Sequence, residues 1–198
     1  QSWHNAAVGC VGAVLRDREL LDWAINGDDG FLYQMEHSVM ESGMWYEESP
    51  SYHWYALLAH VYLMEAAKRQ GVDLYARPKV KNMFDAPLRQ LFPDLTFPGI
   101  NDSDRSSILG QRAFYEIAWR RYENPRYLAL LEKRASPWAL FWGADVPADQ
   151  AGRDLQLATS NEESEGLAVL RDNDNATALF VDYGPGQSGH VQPAKLNI

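Results

Sequence analysis

The sequence predicts an α+β fold in two parts: an α-helical array or (α/α) toroid over residues 1–143, then a linker over 144–152 and the first strands of an antiparallel sheet over 153–198. Three observations carry this expectation. Apolar residues recur at helical spacing from residue 3 to about 143. The stretch 144–152 (ADVPADQAG) has linker composition. Beyond it, short alternating runs bounded by turn residues replace the helical period.

The elements follow in order. Residues 6–25 are expected to form one helix, with Val8, Val11, Val14, Leu15 and Leu21 as an apolar stripe and Arg16, Asp17, Arg18 and Glu19 opposite. Gly27-Asp28-Asp29-Gly30 stops it. A second helix over 31–41 ends at Ser42-Gly43. The third has the strongest signal. Ser49 is an N-cap residue, Pro50 falls at the first helical position, and 52–68 is apolar nearly all round, as in a helix buried between neighbours. Gly71 closes it. A shorter helix follows Pro78, Pro93 and Pro98 punctuate a loop ending at Asn101-Asp102-Ser103-Asp104, and helices are expected over 107–122 and 125–134. Successive antiparallel helices joined by Pro/Gly loops make an array or toroid. Strand-type runs lie at 155–157, 167–171 and 177–183, with Asp172-Asn173-Asp174-Asn175 as a hairpin turn between the last two.

Composition narrows the function classes. Of 198 residues, 46% are hydrophobic and 12% aromatic, which excludes a disordered tail, a collagen and a coiled coil. No run of about 18 uncharged apolar residues is present to span a membrane. The single Cys10 excludes an intrachain disulfide framework and a Cys-based zinc cluster. A formal net charge of −9 argues against nucleic-acid binding through a general basic surface. A polyanionic ligand would need a local basic cleft, drawn from Arg77, Lys79, Lys81, Arg89, Arg105, Arg112, Arg120 and Arg121. The chain opens at Gln1 without an initiator Met or signal peptide and ends at Asn197-Ile198, so the expectation is a processed or excised piece, with the remainder of the same polypeptide to be found elsewhere.

Residues 43–55 (GMWYEESPSYHWY) form the densest polar-aromatic cluster. Tyr52 falls near the third position of its helix, where free N–H groups and the positive end of the macrodipole favour tyrosinate, the form that exchanges a proton with substrate. The alternative is an aromatic packing the start of a buried helix. Residues 184–195 (GPGQSGHVQPAK) form a loop directly after a strand and present His190. His4 and Asn5 open the first helix, either as cap residues or as a donor pair for a carboxylate. Glu47, Glu48, Asp102 and Asp104 supply carboxylates that would suit a glycoside hydrolase, or that simply favour a helix N-terminus. Trp45, Trp54 and Tyr55 either stack on sugar rings or belong to the core. The loop at 101–104 lacks the ligand series of a calcium site, and no phosphate loop, dinucleotide fingerprint or nucleophile elbow is present.

Residues 1–7 (QSWHNAA), 43–53 (GMWYEESPSYH), and the series 166–171 (GLAVLR), 182–185 (DYGP), 189–190 (GH) and 195–196 (KL) together resemble the heparinase II/III-like polysaccharide lyases, which include oligoalginate lyases. The loop 97–104 (FPGINDSD) is similar as well. The resemblance implies the end of a helical toroid and the beginning of an antiparallel β-sandwich. It implies β-elimination at a uronic acid of a glycosaminoglycan such as heparin or heparan sulfate, or of alginate. His4 or Asn5 would neutralise the uronate carboxylate, Tyr52 or His190 would take the C5 proton, and Tyr52 would protonate the leaving oxygen. Trp45, Glu48, His53, Asn101 and Asp102 would contact the sugar. No cofactor is implied. Gln192 stands where some relatives carry a zinc-ligating His, so a structural metal is an expectation for the complete protein and not for this loop. The partner is an acidic polysaccharide, without nucleic acid or a membrane span, in the periplasm or outside the cell. The competing readings are a carbohydrate-binding or structural relative without catalysis, and a toroid glycoside hydrolase.

Overall fold

A computed structural model describes residues 1–132, 135–142, 149, 151–152, 154–172, 174 and 176–184. It is helix-rich, with a small antiparallel sheet after the helices. The helix expected over 6–25 is two helices, α1 (Ser2–Leu15) and α2 (Arg18–Asn26). Arg16 turns left-handed at φ 57°, and the N–H groups of Arg16 and Asp17 return to the carbonyls of Ala13 and Gly12. The Asp17 carboxylate then accepts from the N–H groups of Glu19 and Leu20. A charged run that resembles continuous helix surface is thus a C-cap followed by an N-cap. The apolar stripe is also corrected. Val11, Val14 and Leu15 are 50%, 82% and 67% exposed, while α1 buries Ala6, Gly9, Gly12 and Ala13. Small side chains let the neighbouring backbones come close.

Helix α3 (Phe31–His37) is shorter than expected, because the chain from Ser38 folds back on itself. Tyr46 N–H donates to the Ser38 carbonyl and Met40 N–H to that of Met44, which closes a narrow bridge between Val39 and Trp45. Helix α4 (Pro50–Arg69) starts where Ser49 and Pro50 predict. It runs parallel to α1: Trp3 packs on Tyr55 and Tyr62, Gly9 faces Leu63, and the Gln70 amide donates to the Ala13 carbonyl. The core gathers around α4, with Leu57, Val61 and Met64 packed among Phe31, Phe84, Phe97, Tyr115 and Tyr127, all fully buried.

Helix α5 (Pro78–Asp85) leads into a 3-10 turn, Ala86–Arg89. A second 3-10 turn, Ile108–Gln111, precedes α6 (Arg112–Tyr122). Helix α7 (Pro125–Leu128) stops well short of the expected 125–134, because the Leu128 carbonyl accepts from Gly152 N–H. Helix α8 (Trp138–Trp142) follows.

The strands β1 (Ser160–Glu162), β2 (Leu167–Arg171) and β3 (Ala178–Asp182) pair antiparallel in that order, with Val169 opposite both Ser160 and Phe180. The run 155–157 is not a strand. Leu155 and Leu157 pack half-buried against the core, and the place beside β2 goes to the polar residues Ser160–Glu162. An edge strand is decided by who reaches the free backbone groups, and apolar alternation does not report that. The sheet docks on the helices through polar contacts: Arg89 with Glu162 at 2.6 Å, Ser160 Oγ with the Arg89 carbonyl, and Arg171 with the Leu91 carbonyl.

Most of the basic residues offered for a cleft are committed elsewhere. Lys81 pairs with Asp85, Arg89 with Glu162, Arg105 with Asp94, Arg112 with Glu132 and Arg121 with Glu65, while Lys79 donates to the carbonyls of Glu36 and Val39. Among the described residues, no helix is long and apolar enough to cross a membrane.

Candidate active site

The site is built on the first turn of α4. Ser49, in extended backbone, caps the helix, its Oγ accepting from Tyr52 N–H at 3.5 Å. The same hydroxyl lies 2.7 Å from Ser103 Oγ, and Ser103 Oγ also accepts from Ser51 N–H at 2.9 Å. Asn101 reaches back from the same loop, its amide donating to the Glu48 carbonyl at 2.7 Å. The loop at 101–104 therefore clamps the α4 N-terminus. Orphan N–H groups at a helix start need such acceptors, and pairing between serines 52 residues apart leaves no local signature in the sequence.

Tyr52 sits in this turn, half-buried and packed against the core. Its neighbour His53 is fully buried. His53 Nδ1 accepts from Trp45 N–H at 3.1 Å, which leaves the proton on Nε2 to be donated to the Met83 carbonyl at 2.9 Å. Burial lowers this imidazole to about 4, against the opposing contact with Met83, so the ring is neutral. Two turns on, His60 lies edge-on to Phe31, and burial lowers it to about 3.

These positions correct part of the expected sugar-contacting set. Trp45 is buried in the core and its indole N–H donates to Glu47 at 2.9 Å, so neither its face nor its polar edge is open to a sugar. His53 is enclosed with both nitrogens engaged. Glu48 is buried at a left-handed φ of 55°, and burial followed by the charge of Asp182 raises its carboxyl above the ordinary carboxylate range. Asn101 is half-buried and Asp102 exposed, both beside the clamp. Trp54 is core, packed among Phe97, Phe114 and Tyr115, while Tyr55 is exposed.

Because α1 and α4 run parallel, His4 and Asn5 lie at the same end of the helix pair as Tyr52, so both positive dipole ends face one side. Asn5 is buried. Its amide donates to the Asp29 carbonyl at 2.7 Å and its oxygen accepts from Gln1. His4 is exposed.

The sheet reaches the same end. Asp182, at the close of β3, acts electrostatically on Glu48. Two residues further, Gly184 is packed so tightly that a Cβ on Gly166 would collide with the Gly184 backbone and a Cβ on Gly184 with the Glu165 carbonyl. The expected His190 and the loop at 185–198 lie outside the described residues. Among the described residues, no three His, Cys, Asp or Glu side chains converge to hold a metal ion. A cavity of about 640 Å³, lined by Arg16, Arg18, Leu21, Gln70 and Arg77, opens at the opposite end of α1 and α4. At 1.5 Å per residue that end is about 27 Å from Tyr52, too far to share its chemistry.

Residues 1–94 match the family model for alginate lyase. The chain is 29% identical to an alginate lyase of Stenotrophomonas maltophilia (strain K279a), with 99% of this chain and 29% of that protein aligned. It superposes on the solved structure of a heparinase III, the form with methylated lysines, with a TM-score of 0.67 and 19% identity, covering 97% of this chain and 28% of the other. The chain thus spans under a third of the length of either relative, and the structural match establishes a shared fold.

Proposed function

We propose, from the similarity of residues 1–94 to the alginate lyase family model and of the chain to an alginate lyase and a heparinase III, that this chain carries part of the active site of a polysaccharide lyase that cleaves uronate-containing polysaccharide by β-elimination. The observation that carries the reading is the convergence on one end of α1 and α4: Tyr52 in a clamped first turn, exposed His4 at the start of the parallel α1, and β3 delivering the chain to the same end at Gly184.

The chemistry then runs as follows. The uronate C6 carboxylate is neutralised by His4, the exposed member of the His4-Asn5 pair, with both helix N-termini adding positive potential. Neutralisation stabilises the enolate-like intermediate formed when the C5 proton leaves. That proton goes to Tyr52 or to His190, according to the face the uronate presents. The C4–O bond breaks as the C4–C5 double bond forms, and Tyr52 returns a proton to the departing oxygen. We read the helices as the end of an (α/α) toroid, the sheet as the start of an antiparallel sandwich, and the junction between them as the linker at 144–152. Alginate and heparan sulfate are the substrates to compare, in a periplasmic or secreted setting, and none of these steps draws on a cofactor.

In the complete polypeptide, wild type is expected to raise ultraviolet absorbance from unsaturated uronate ends on at least one of these polymers. Tyr52→Phe should lower that rate by about 10²-fold or more with unchanged melting. Wild-type turnover by Tyr52→Phe would remove Tyr52 from the reaction.

A further inference from the structure

We propose that His53 is the positioning residue for Tyr52, holding the first turn of α4 at a fixed rotation by bonding two buried backbone groups. The inference rests on the reading of Tyr52 given above and adds a residue that does not touch substrate.

The groups in question are specific. Met83 lies in α5, and the helical donor for its carbonyl would be the N–H of residue 87. Residue 87 is proline and has none. The His53 Nε2–H fills that vacancy at 2.9 Å. Trp45 lies in the narrow bridge closed by the N–H groups of Tyr46 and Met40, and its own N–H points inward to His53 Nδ1 at 3.1 Å. One imidazole thereby ties α4 to α5 and to the segment that leads into Ser49. Each of these groups is buried, and leaving one unpaired costs about 1–3 kcal/mol. Rotation of the α4 N-terminus would break both bonds together. Tyr52 is the adjacent residue, so its ring position is inherited from this lock, with the Ser49–Ser103 clamp acting on the same turn from the outside. Of the two ring nitrogens, only the Nε2–H tautomer serves both partners. The depressed basicity of the buried ring keeps that tautomer neutral.

The test is made in the complete polypeptide on the polysaccharide that the wild type turns over. His53→Ala removes both bonds, His53→Asn keeps an acceptor where Nδ1 was, and His53→Gln keeps a donor where Nε2 was. The expected result is a kcat lower by about 10²-fold in His53→Ala, since misplacement by about 1 Å costs that much. KM should stay within about twofold, because the imidazole makes no contact with substrate. The single-bond variants should recover part of the loss, with rates referred to the folded fraction measured by circular dichroism. Pro87→Ala is made beside them because it keeps His53 and the fold while supplying an N–H that competes for the Met83 carbonyl. It should show the same loss confined to kcat, smaller in size. The proposal is overturned if the folded variants, Pro87→Ala included, retain wild-type kcat or lose kcat only in proportion to unfolding. Tyr52→Phe separates the two readings. If it is active, the role of Tyr52 is wrong; if it is inactive while the His53 variants are fully active, only the present inference is wrong.

Discussion

Tyr52 and His53 are neighbours with opposite environments because successive helix residues point about 100° apart. One is half-buried at the rim of the core, the other fully enclosed. Residue identity alone could not separate them, since both are polar aromatics at a helix start. A legible clue was present in the spacing between Met83 and Pro87, which leaves a carbonyl in need of a donor. The same physics governs Glu165, in the turn between β1 and β2. It is buried, accepts from the Gln90 amide at 2.6 Å, and its other oxygen has no hydrogen-bond partner. Burial pushes its carboxyl up to about 7, with Glu162 adding to the rise and Ser42, Gln90 and Arg89 opposing it. The folded chain therefore keeps a proton that the unfolded chain releases. The resulting stability is fully present below about pH 4.5 and is lost as pH rises through 7, by about 3 kcal/mol. Glu165→Gln should abolish that slope. In urea unfolding the variant should match wild type near pH 5 and exceed it near pH 8; a variant weaker near pH 8 would show that the ionised carboxylate is favourable.

At the scale of elements, capping and close packing explain where the helices break. Ser49 and Pro50 announce α4 because an N-cap and an N1 proline act locally. The break between α1 and α2 is also local, but its charged residues imitate helix surface, and only the left-handed Arg16 reveals the turn. Gly12 makes that turn dense. A Cβ there would meet the Leu21 backbone N at 2.8 Å and the Asp17 carbonyl at 3.1 Å, neither of which can yield cheaply. Gly12→Ala is expected to cost about 1–3 kcal/mol. Gly110→Ala, where a Cβ would meet nothing within 4 Å, should be neutral or gain up to about 1 kcal/mol. Thermal melts of the two variants should therefore move apart; equal shifts would mean that α1 and α2 can slide to accommodate a methyl group.

For the molecule as a whole, the acid limb of stability is set by the histidines beneath the site. His53 and His60 are held neutral, at about 4 and about 3, first of all by burial. The unfolded chain protonates both near pH 6.5 while the folded chain does not, so stability falls as pH drops from about 6.5 toward 4. Glu165 works in the opposite direction, but one carboxyl opposes two imidazoles. The unfolding midpoint in denaturant is accordingly expected to fall steadily below about pH 6. A midpoint that stays level down to about pH 4 would mean that the two rings are not buried as neutral groups.

The sequence by itself determined the α+β class, the start of α4 and the pairing of β2 with β3, because caps, prolines and period-two runs are decided by near neighbours. Only the tertiary structure decided that Trp45 and His53 are core, that Ser103 clamps the turn, and that Ser160–Glu162 takes the edge of the sheet. Burial and hydrogen-bond pairing across dozens of residues depend on which surfaces meet, and a backbone donor left unmatched in one segment is matched only when another segment arrives beside it.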